Sequence, residues 1–332
     1  MKRTFSKLNK AGILATAIAL ISSCGPSNQN HTLKAGTENS NIIGGIESKY
    51  NFAQQNGLVG IWDNESRGLC TGSLIHRRLV LTAGHCATAK DPKKIAVFFG
   101  PELEDVFKQV SQGDRSRVRK VANYIRHPQY LTIEKMNEII SAAAGNYRPD
   151  DPKTHLDPNA FPSMIDIALI SLQEDAPLDV AISKFPNAAI LKSLGSNELT
   201  FTLAGYGVTT VKENTDPASF KDSPYIMSGS GTLHQVEGIP FAGVLTKEAK
   251  EFAVDVSAGK GSCQGDSGGP AYIKDAKGNY YLMGVTSRGD NACGKAIIYT
   301  MIETYENFIN ESANKLLMEL EKPNSPTAKA QK

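Results

Sequence analysis

The sequence lacks a charge imbalance and lacks the motifs of common metal sites. Its 332 residues carry 36 Lys and Arg against 34 Asp and Glu, a formal net charge of +2. No basic run is interleaved with aromatic residues, so we predict no nucleic-acid partner. Neither a HExxH motif nor a CxxC pair occurs, and we predict no metal and no other cofactor. The hydrophobic fraction of 40% is enough for one sizeable core or two small ones.

Long apolar runs are also missing, and the longest N-terminal one predicts an export signal. Four basic residues precede AGILATAIALI, residues 11–21, which is too short to span a bilayer. The run ends in ISSC, which resembles the bacterial lipobox, in which the cysteine is lipidated and becomes the mature N-terminus. Residues 1–23 are therefore predicted to be a lipoprotein signal peptide that exposes Cys24. The alternative is an ordinary signal peptide with an incidental cysteine.

Cysteine is scarce, and its odd count of five is informative. If Cys24 carries a lipid, four cysteines remain, and an oxidising compartment would pair them. Pairing Cys70 with Cys86 and Cys263 with Cys293 is the natural choice among three connectivities. In the chain-entropy model each such loop contributes roughly 3–4 kcal/mol of stability.

The amino-acid composition changes along the chain in a way that indicates one large all-β domain. The polar residues 24–41 are predicted to be a tether or pro-segment, and globular composition begins at IIGG, residues 42–45. Many short β-like runs with turn residues between them fall into two clusters of about six, which indicates antiparallel barrels or sandwiches. We assign the domain to 42–312, with an insertion at about 131–163 that begins as a helix. A second helix is predicted at 303–320, and 313–332 is assigned as a polar C-terminal tail.

The glycine-rich stretch GKGSCQGDSGGP, residues 259–270, contains a candidate nucleophile. Flexible linkers share this composition, but Cys263 and Pro270 stiffen both of its ends. The stretch is more typical of a loop whose backbone passes where a side chain would collide. Ser267, held in such a loop, is the candidate.

A base and an acid that could activate this serine stand in unusual local contexts. His85 follows the apolar run LVLTAG and precedes a cysteine, so it is placed rigidly at a strand end, although a core histidine is the alternative. The other five histidines have ordinary explanations in polar or turn segments. Asp166 lies inside MIDIALISL, and an aspartate seldom occupies an apolar strand without a partner. An imidazolium would be such a partner.

These motifs resemble those of the trypsin/chymotrypsin-like serine peptidases. LTAGHC, DIALI and GDSGGP resemble the family's histidine, aspartate and serine motifs, in the family's order of His85, Asp166 and Ser267. IIGG resembles its mature N-terminus, LAGYG its autolysis loop and GVTSRG the strand that binds substrate backbone. The likeness runs from Ile42 to about Ile309. It implies two orthogonal six-stranded antiparallel β-barrels, a C-terminal helix and a catalytic cleft between the barrels.

The resemblance also implies roles for the residues around the serine. Ser267 would attack the scissile carbonyl, His85 would carry the proton, and Asp166 would orient His85. The backbone N–H groups of Gly265 and Ser267 would form the oxyanion hole. The disulfide at Cys263 would tie the serine loop to the pocket wall.

Asp266 would have a different role, in activation. In the family this aspartate pairs with the α-ammonium made by cleavage before the isoleucine of the IIGG-type motif, here at Asn41–Ile42. Position 41 is not the usual Arg or Lys, so the activating protease is not expected to be trypsin-like. Lipid on Cys24 would hold the precursor on a membrane, and cleavage would release a soluble enzyme.

Substrate preference is expected to depart from that of trypsin. The implied substrate-binding set is Gly261, Ser287, Arg288, Gly289 and Ile297. Gly261 stands at the pocket base, where an acid would select Lys or Arg, and Ile297 is placed to narrow the pocket. We therefore expect a small to medium apolar residue before the scissile bond. Arg288 replaces the usual aromatic, either as a solvated charge at the rim or as a selector of acidic substrate residues.

The sequence therefore predicts a serine endopeptidase made as a zymogen. Its partners are protein or peptide substrates, an activating protease and, through Cys24, a membrane. We expect a monomer, either a periplasmic or outer-membrane lipoprotein or a secreted protein. The alternative function is a membrane-anchored pseudopeptidase that uses the cleft only for binding.

Overall fold

A computed structural model of the chain describes residues 42–48, 50–144, 163–193, 199–214, 225–245, 250–290 and 292–322. The predicted signal peptide, the tether and the second half of the insertion lie outside the described residues. Within the described ranges, no helix combines the length and apolarity that a membrane crossing requires.

The described elements are mostly short strands, as the sequence predicts. The strands are β1 (Ile46–Glu47), β2 (Leu58–Asp63), β3 (Gly68–His76), β4 (Leu79–Thr82), β5 (Ile95–Phe98), β6 (Val118–Arg126), β7 (Ala168–Leu172), β8 (Thr200–Gly205), β9 (Thr210–Glu213), β10 (Tyr225–Ser228), β11 (His234–Leu245), β12 (Glu251–Asp255), β13 (Pro270–Lys274), β14 (Tyr280–Gly289) and β15 (Ala296–Met301). The helices are α1 (Tyr50–Asn56), α2 (Leu103–Ser111), α3 (Ile133–Ala144), α4 (Ala188–Ser193) and α5 (Glu306–Glu321).

The first barrel is a closed antiparallel sheet in the order β2-β3-β4-β7-β6-β5. Strands β4 and β7, with the sequences LVLT and ALISL, are buried at every position because they pair with each other in the barrel wall. Their interior side chains join a cluster that includes Val80, Ile170 and Leu172. The residues that follow β4 and precede β7 are therefore held beside each other at one edge of the barrel.

The second barrel is closed by β8, which pairs with both β11 and β13. Its order is β8-β11-β12-β15-β14-β13, and β1 adds to the edge of β11. Phe201, Phe252 and Tyr299 stack in its core, with ring centroids 4.9 and 5.3 Å apart. Strands β9 and β10 form a separate two-stranded sheet. The prediction of two six-stranded barrels is confirmed.

The structure contains both helices that the sequence predicts, and the second, predicted at 303–320, is present as α5 and extends into the assigned tail. The helix expected at the start of the insertion is present as α3. The boundary placed at residue 312 is wrong, because α5 continues to Glu321 and buries Leu316 and Leu320. Its apolar side chains at these positions recur every four residues, which directs them onto the core. Only residues 323–332 of the assigned tail lie outside the described part of the chain.

Both predicted disulfides are present, Cys70–Cys86 and Cys263–Cys293. The serine loop of the second barrel is also fastened to the first barrel through one residue of β3. Thr71 donates its backbone N–H to the carbonyl of Ser267 at 2.8 Å, and its hydroxyl donates to the carbonyl of Gly265 at 3.0 Å. The two barrels therefore meet at this loop.

Candidate active site

His85 lies at the end of the first barrel's buried strand pair. Strand β4 ends at Thr82, and a single 3-10 turn, Gly84–Cys86, carries the histidine. The disulfide of Cys86 fixes this turn to β3. The side chain of His85 is 23% exposed, so one side of the imidazole remains accessible.

Asp166 is the partner of this histidine, and it is fully buried. Its Oδ2 lies 2.8 Å from His85 Nδ1, and its Oδ1 accepts the backbone N–H of His85 at 3.0 Å. The second barrel supplies two more contacts, from Ser287 Oγ to Oδ2 at 2.8 Å and from Thr300 Oγ1 to the Asp166 carbonyl at 3.0 Å. An ionised carboxylate only accepts hydrogen bonds, so Nδ1 carries the proton and Nε2 is left as an acceptor.

The two groups stabilise each other's charge. Burial lowers the pKa of His85, but the charge of Asp166 and the hydrogen bond to it outweigh burial and raise that pKa above 6.5. Burial likewise raises the pKa of Asp166, but His85 and the donors around the carboxylate hold it below 3.8. The arrangement keeps an imidazole that can accept a proton beside a permanent negative charge.

Ser267 is brought to the same edge by the loop before β13. Its carbonyl lies 3.5 Å from the sulfur of Cys86, the residue that follows His85. Ser267 itself is half-buried. In the part of the chain that the structure describes, its hydroxyl makes no hydrogen bond to His85. Such bonds between nucleophile and base are often long before substrate binds.

Among the described residues, two backbone N–H groups around Ser267 have no hydrogen-bond acceptor. Asp266 donates its N–H to the carbonyl of Cys263 at 3.0 Å, and Gly268 donates to Thr286 at 2.8 Å. Within the described residues, the N–H groups of Gly265 and Ser267 have no acceptor. Gly265 has φ +94°, and a Cβ there would lie 2.8 Å from the Cα of Gly207. Only glycine fits this position without strain.

Asp266 is buried beside the serine, but without a cation. Its carboxylate accepts the N–H groups of Cys263 and Gly207, both at 2.8 Å, and no lysine or arginine of the described residues contacts it. Burial raises the pKa of Asp266 to about 7. Ile42 is also fully buried, and the next residue, Ile43, accepts the N–H of Gly261 at 2.8 Å. The start of the domain therefore lies against this loop.

The pocket residues implied by the resemblance are packed by branched side chains. A Cβ on Gly261 would lie 2.2 Å from Val256 Cγ1, and a Cβ on Gly289 would lie 2.5 Å from Ile297 Cδ1. Val256 is fully buried and Ile297 is 3% exposed. The side chains of Val256 and Ile297 therefore occupy the space beside Gly261 and Gly289.

Arg288 has a partner that neither alternative of the sequence analysis included. Its Nη2 and Nη1 lie 2.7 and 3.0 Å from the two carboxylate oxygens of Glu251, in a bidentate pair. The arginine is 20% exposed and Glu251 is completely buried. Burial lowers the pKa of Arg288, but the charge of Glu251 outweighs burial and raises that pKa.

Thr300 and Glu251 were not predicted from the sequence, and Ser287 was expected only among the substrate contacts. The structure shows the Ser287 hydroxyl on Asp166. Glu251 could have been found by the signal that revealed Asp166, because it stands at the head of the apolar strand EFAVD. Thr300 carries no such signal, since threonine is common in strands.

A cluster of metal-ligating residue types also occurs at the site. Cys70, His85 and Cys86 place their ligand atoms within 4.8 Å of one another. The two sulfurs are bonded to each other in a disulfide, so they provide no thiolate for an ion.

The sequence is similar to those of known proteins along most of its length. A family model described as Trypsin matches residues 42–309. The alpha-fibrinogenase albofibrase of Trimeresurus albolabris is 28% identical over 275 residues, 81% of this chain and 85% of the relative. Kallikrein-2 of Homo sapiens is 25% identical over 278 residues, 78% and 90% of the two chains. Melanization protease 1 of Drosophila melanogaster is 27% identical over 257 residues, 73% and 58% of the two chains.

Proposed function

The chain belongs to the trypsin family of serine endopeptidases, and from this premise we propose that it cleaves peptide bonds through an acyl-enzyme on Ser267. The observation that carries the proposal is the contact of 2.8 Å between His85 Nδ1 and the buried carboxylate of Asp166. This contact leaves Nε2 of His85 free to take the proton of the Ser267 hydroxyl. His85 then returns that proton to the leaving amine, and Asp166 stabilises the imidazolium in between.

The unbonded N–H groups of Gly265 and Ser267 support an oxyanion hole. Both belong to the loop that carries the nucleophile, and their neighbours in sequence have internal acceptors. A carbonyl oxygen that becomes negatively charged in the tetrahedral intermediate would receive both donors. Each such donor contributes on the order of 3 kcal/mol to the transition state.

The packing around Gly261 and Gly289 supports specificity for a small residue before the scissile bond. The side chains of Val256 and Ile297 fill the space that these glycines leave. Neither offers a charge for Lys or Arg. We therefore expect the enzyme to prefer residues such as glycine, alanine and valine over larger ones.

Asp266 supports activation by cleavage at Asn41–Ile42. In the uncleaved chain Ile42 has φ +48°, in a region that β-branched residues rarely adopt, and no cation among the described residues contacts the buried Asp266. Cleavage would free the backbone at Ile42 and create an α-ammonium next to the Asp266 loop. The resulting ion pair would order the oxyanion loop.

The N-terminal segment supports a membrane-bound precursor. Lipid on Cys24 would hold the precursor on a membrane, in the periplasm or at the outer membrane. The other four cysteines form the two internal disulfides, so no covalent link would retain residues 24–41 after cleavage. Activation and release are therefore one event. Active enzyme found in the membrane fraction with lipidated Cys24 would contradict this coupling.

A fluorophosphonate probe tests the central proposal. It should label Ser267 in the protein cleaved at Asn41–Ile42, and label neither the Ser267→Ala nor the His85→Ala variant. Peptide hydrolysis should disappear in the same two variants. An unlabelled, inactive but substrate-binding cleaved protein would instead favour the binding-protein alternative.

A further inference from the structure

Three side chains of the second barrel hold the segment that carries Asp166. Thr300 of β15 binds the Asp166 carbonyl, and Ser287 of β14 binds its carboxylate. The third is Glu251, at the start of β12 and directly opposite Thr300 in the sheet. Its Oε1 accepts the Ser163 hydroxyl and the Met164 N–H, both at 3.0 Å.

The segment from 163 to 166 needs such support because its backbone is strained. Ile165 has φ +53°, a rare conformation for a β-branched residue that persists only when the surrounding contacts hold it. The Ser163 hydroxyl that donates to Glu251 also accepts the Ile165 N–H at 3.1 Å. Glu251 thus fixes the two residues before the strained one, and Asp166 follows it.

Arg288 completes this arrangement. It neutralises Glu251, whose side chain has no solvent exposure, and its Nη1 is also 3.5 Å from the Ser287 hydroxyl that binds Asp166. A buried carboxylate without a cation is costly, so the anchor depends on Arg288. The guanidinium and the Asp166 carboxylate are therefore linked through a single hydroxyl.

We propose that Glu251 and Arg288 are positioning residues for the Asp166 carboxylate: Glu251 fixes residues 163–166, and Arg288 balances its charge beside Ser287. The proposal rests on the proposed function, in which Asp166 orients His85. The alignment of the His85 imidazole would then depend on the Glu251–Arg288 pair, which lies at the boundary between the two barrels.

The charges that face the site determine how variants should titrate. Asp166 faces the imidazole of His85, the phenol of Tyr130 and, through Ser287, the guanidinium of Arg288. The pKa of Tyr130 is raised by burial and by Asp166, so this phenol stays neutral in the range where His85 titrates. The test should therefore neutralise one member of the Arg288–Glu251 pair at a time.

Matched charge variants test the proposal. Glu251→Gln leaves the Arg288 cation unbalanced, so the acidic limb of kcat/KM should move to lower pH. Arg288→Gln leaves the Glu251 anion unbalanced, so the limb should move to higher pH. The double variant should return the limb to its wild-type position. Glu251→Gln should also lower kcat by about ten- to hundredfold with little change in KM, because Asp166 is misaligned.

Two further variants guard against a purely structural effect. Ser163→Ala removes one donor to Glu251 and should lower kcat less than Glu251→Gln does. Glu237→Gln breaks an exposed ion pair with Lys274 in the same barrel and should leave kcat and the pH limb unchanged. The melting temperature of each variant shows whether a loss of kcat follows from unfolding of the protein.

The outcome is separable from that of the proposed function. The His85 titration can be followed by NMR in the Ser267→Ala background, which needs no turnover. Opposite shifts in Glu251→Gln and Arg288→Gln that cancel in the double variant would support the proposal even if the peptidase mechanism failed. Shifts of the same sign, no shift, or an Arg288→Gln effect confined to KM would overturn it.

Discussion

Two fully buried aspartates flank the site, and the groups that contact their carboxylates differ. Asp166, at the edge of the first barrel, accepts bonds from an imidazole, a backbone N–H and a hydroxyl, and its pKa is lowered. Asp266, in the second barrel's loop, accepts two backbone N–H groups, and burial raises its pKa to about 7. Burial raises the pKa of both carboxyl groups, but only at Asp166 do the charge of His85 and the side-chain donors His85 and Ser287 outweigh it. Under the proposed function, the first aspartate would orient His85 and the second would pair with the α-ammonium formed by cleavage.

The largest effect is expected from Asp166→Asn in the mature enzyme. The amide can donate to His85 Nδ1 and so stabilise the wrong tautomer, which should lower kcat by about 10⁴-fold. Steady-state kinetics on a peptide ester measure this loss, and circular dichroism verifies the fold. Activity within tenfold of wild type would show that Asp166 is not the orienting acid.

Asp266→Asn should have the next largest effect, and only after cleavage at Asn41–Ile42. The new α-ammonium would lose its buried partner, at a cost of about 3–5 kcal/mol. The cleaved variant should therefore label slowly with a fluorophosphonate, because its oxyanion loop is not ordered. The matched control is the uncleaved Asp266→Asn protein. Its free energy of unfolding should equal that of the uncleaved wild type at pH 5 and should exceed it at pH 8.

The pH dependence of stability sharpens the comparison further. The pKa of Asp266 in the folded precursor, about 7, is above the 3.8 of the unfolded chain, so the folded state binds the proton more tightly. This contribution is complete below about pH 3.8 and is lost as the pH rises to about 7. Denaturant titrations of the Ser267→Ala precursor should show about 3 kcal/mol lost from this group between pH 5 and 8. Asp266→Asn should abolish that loss.

His85 makes a contribution of the same sign to the same experiment, because its folded pKa is also raised. Its folded pKa is raised above 6.5, so the stability it contributes is present below 6.5 and declines as the pH passes through the folded pKa. For catalysis the neutral form is needed, so the acidic limb of kcat/KM should have its midpoint above pH 6.5. A midpoint below 6.5 would mean that Asp166 does not stabilise the imidazolium.

The smallest expected effect concerns the substrate pocket. Ile297→Ala should allow a larger residue before the scissile bond, and each added methylene that it buries contributes about 0.8 kcal/mol. A panel of peptides that differ only at this position should shift its preference from alanine towards leucine or phenylalanine. The control is Ile298→Ala, the neighbouring residue of β15, whose side chain points to the opposite face of the strand. An unchanged panel would mean that Ile297 does not limit the pocket.

The sequence by itself determined the elements of this protein that depend on local pattern. Two clusters of short apolar runs separated by turns predicted antiparallel barrels or sandwiches, and the flanking residues identified His85, Asp166 and Ser267 as unusual. The helix predicted at 303–320 is present as α5, but the tail assigned to 313–332 begins inside it, where the four-residue spacing of Leu316 and Leu320 buries both side chains.

Only the tertiary structure decided which partner each buried charge has. Glu251 and Arg288 are 37 residues apart, and Ser163 is 88 residues from Glu251, so no local pattern joins them. The closure of the second barrel brings β12 next to β15 and β15 next to β14, and its contact with the first barrel adds the Asp166 segment. A charge acquires its partner only when distant strands become neighbours, because electrostatic and hydrogen-bond energies depend on distance in space and not along the chain.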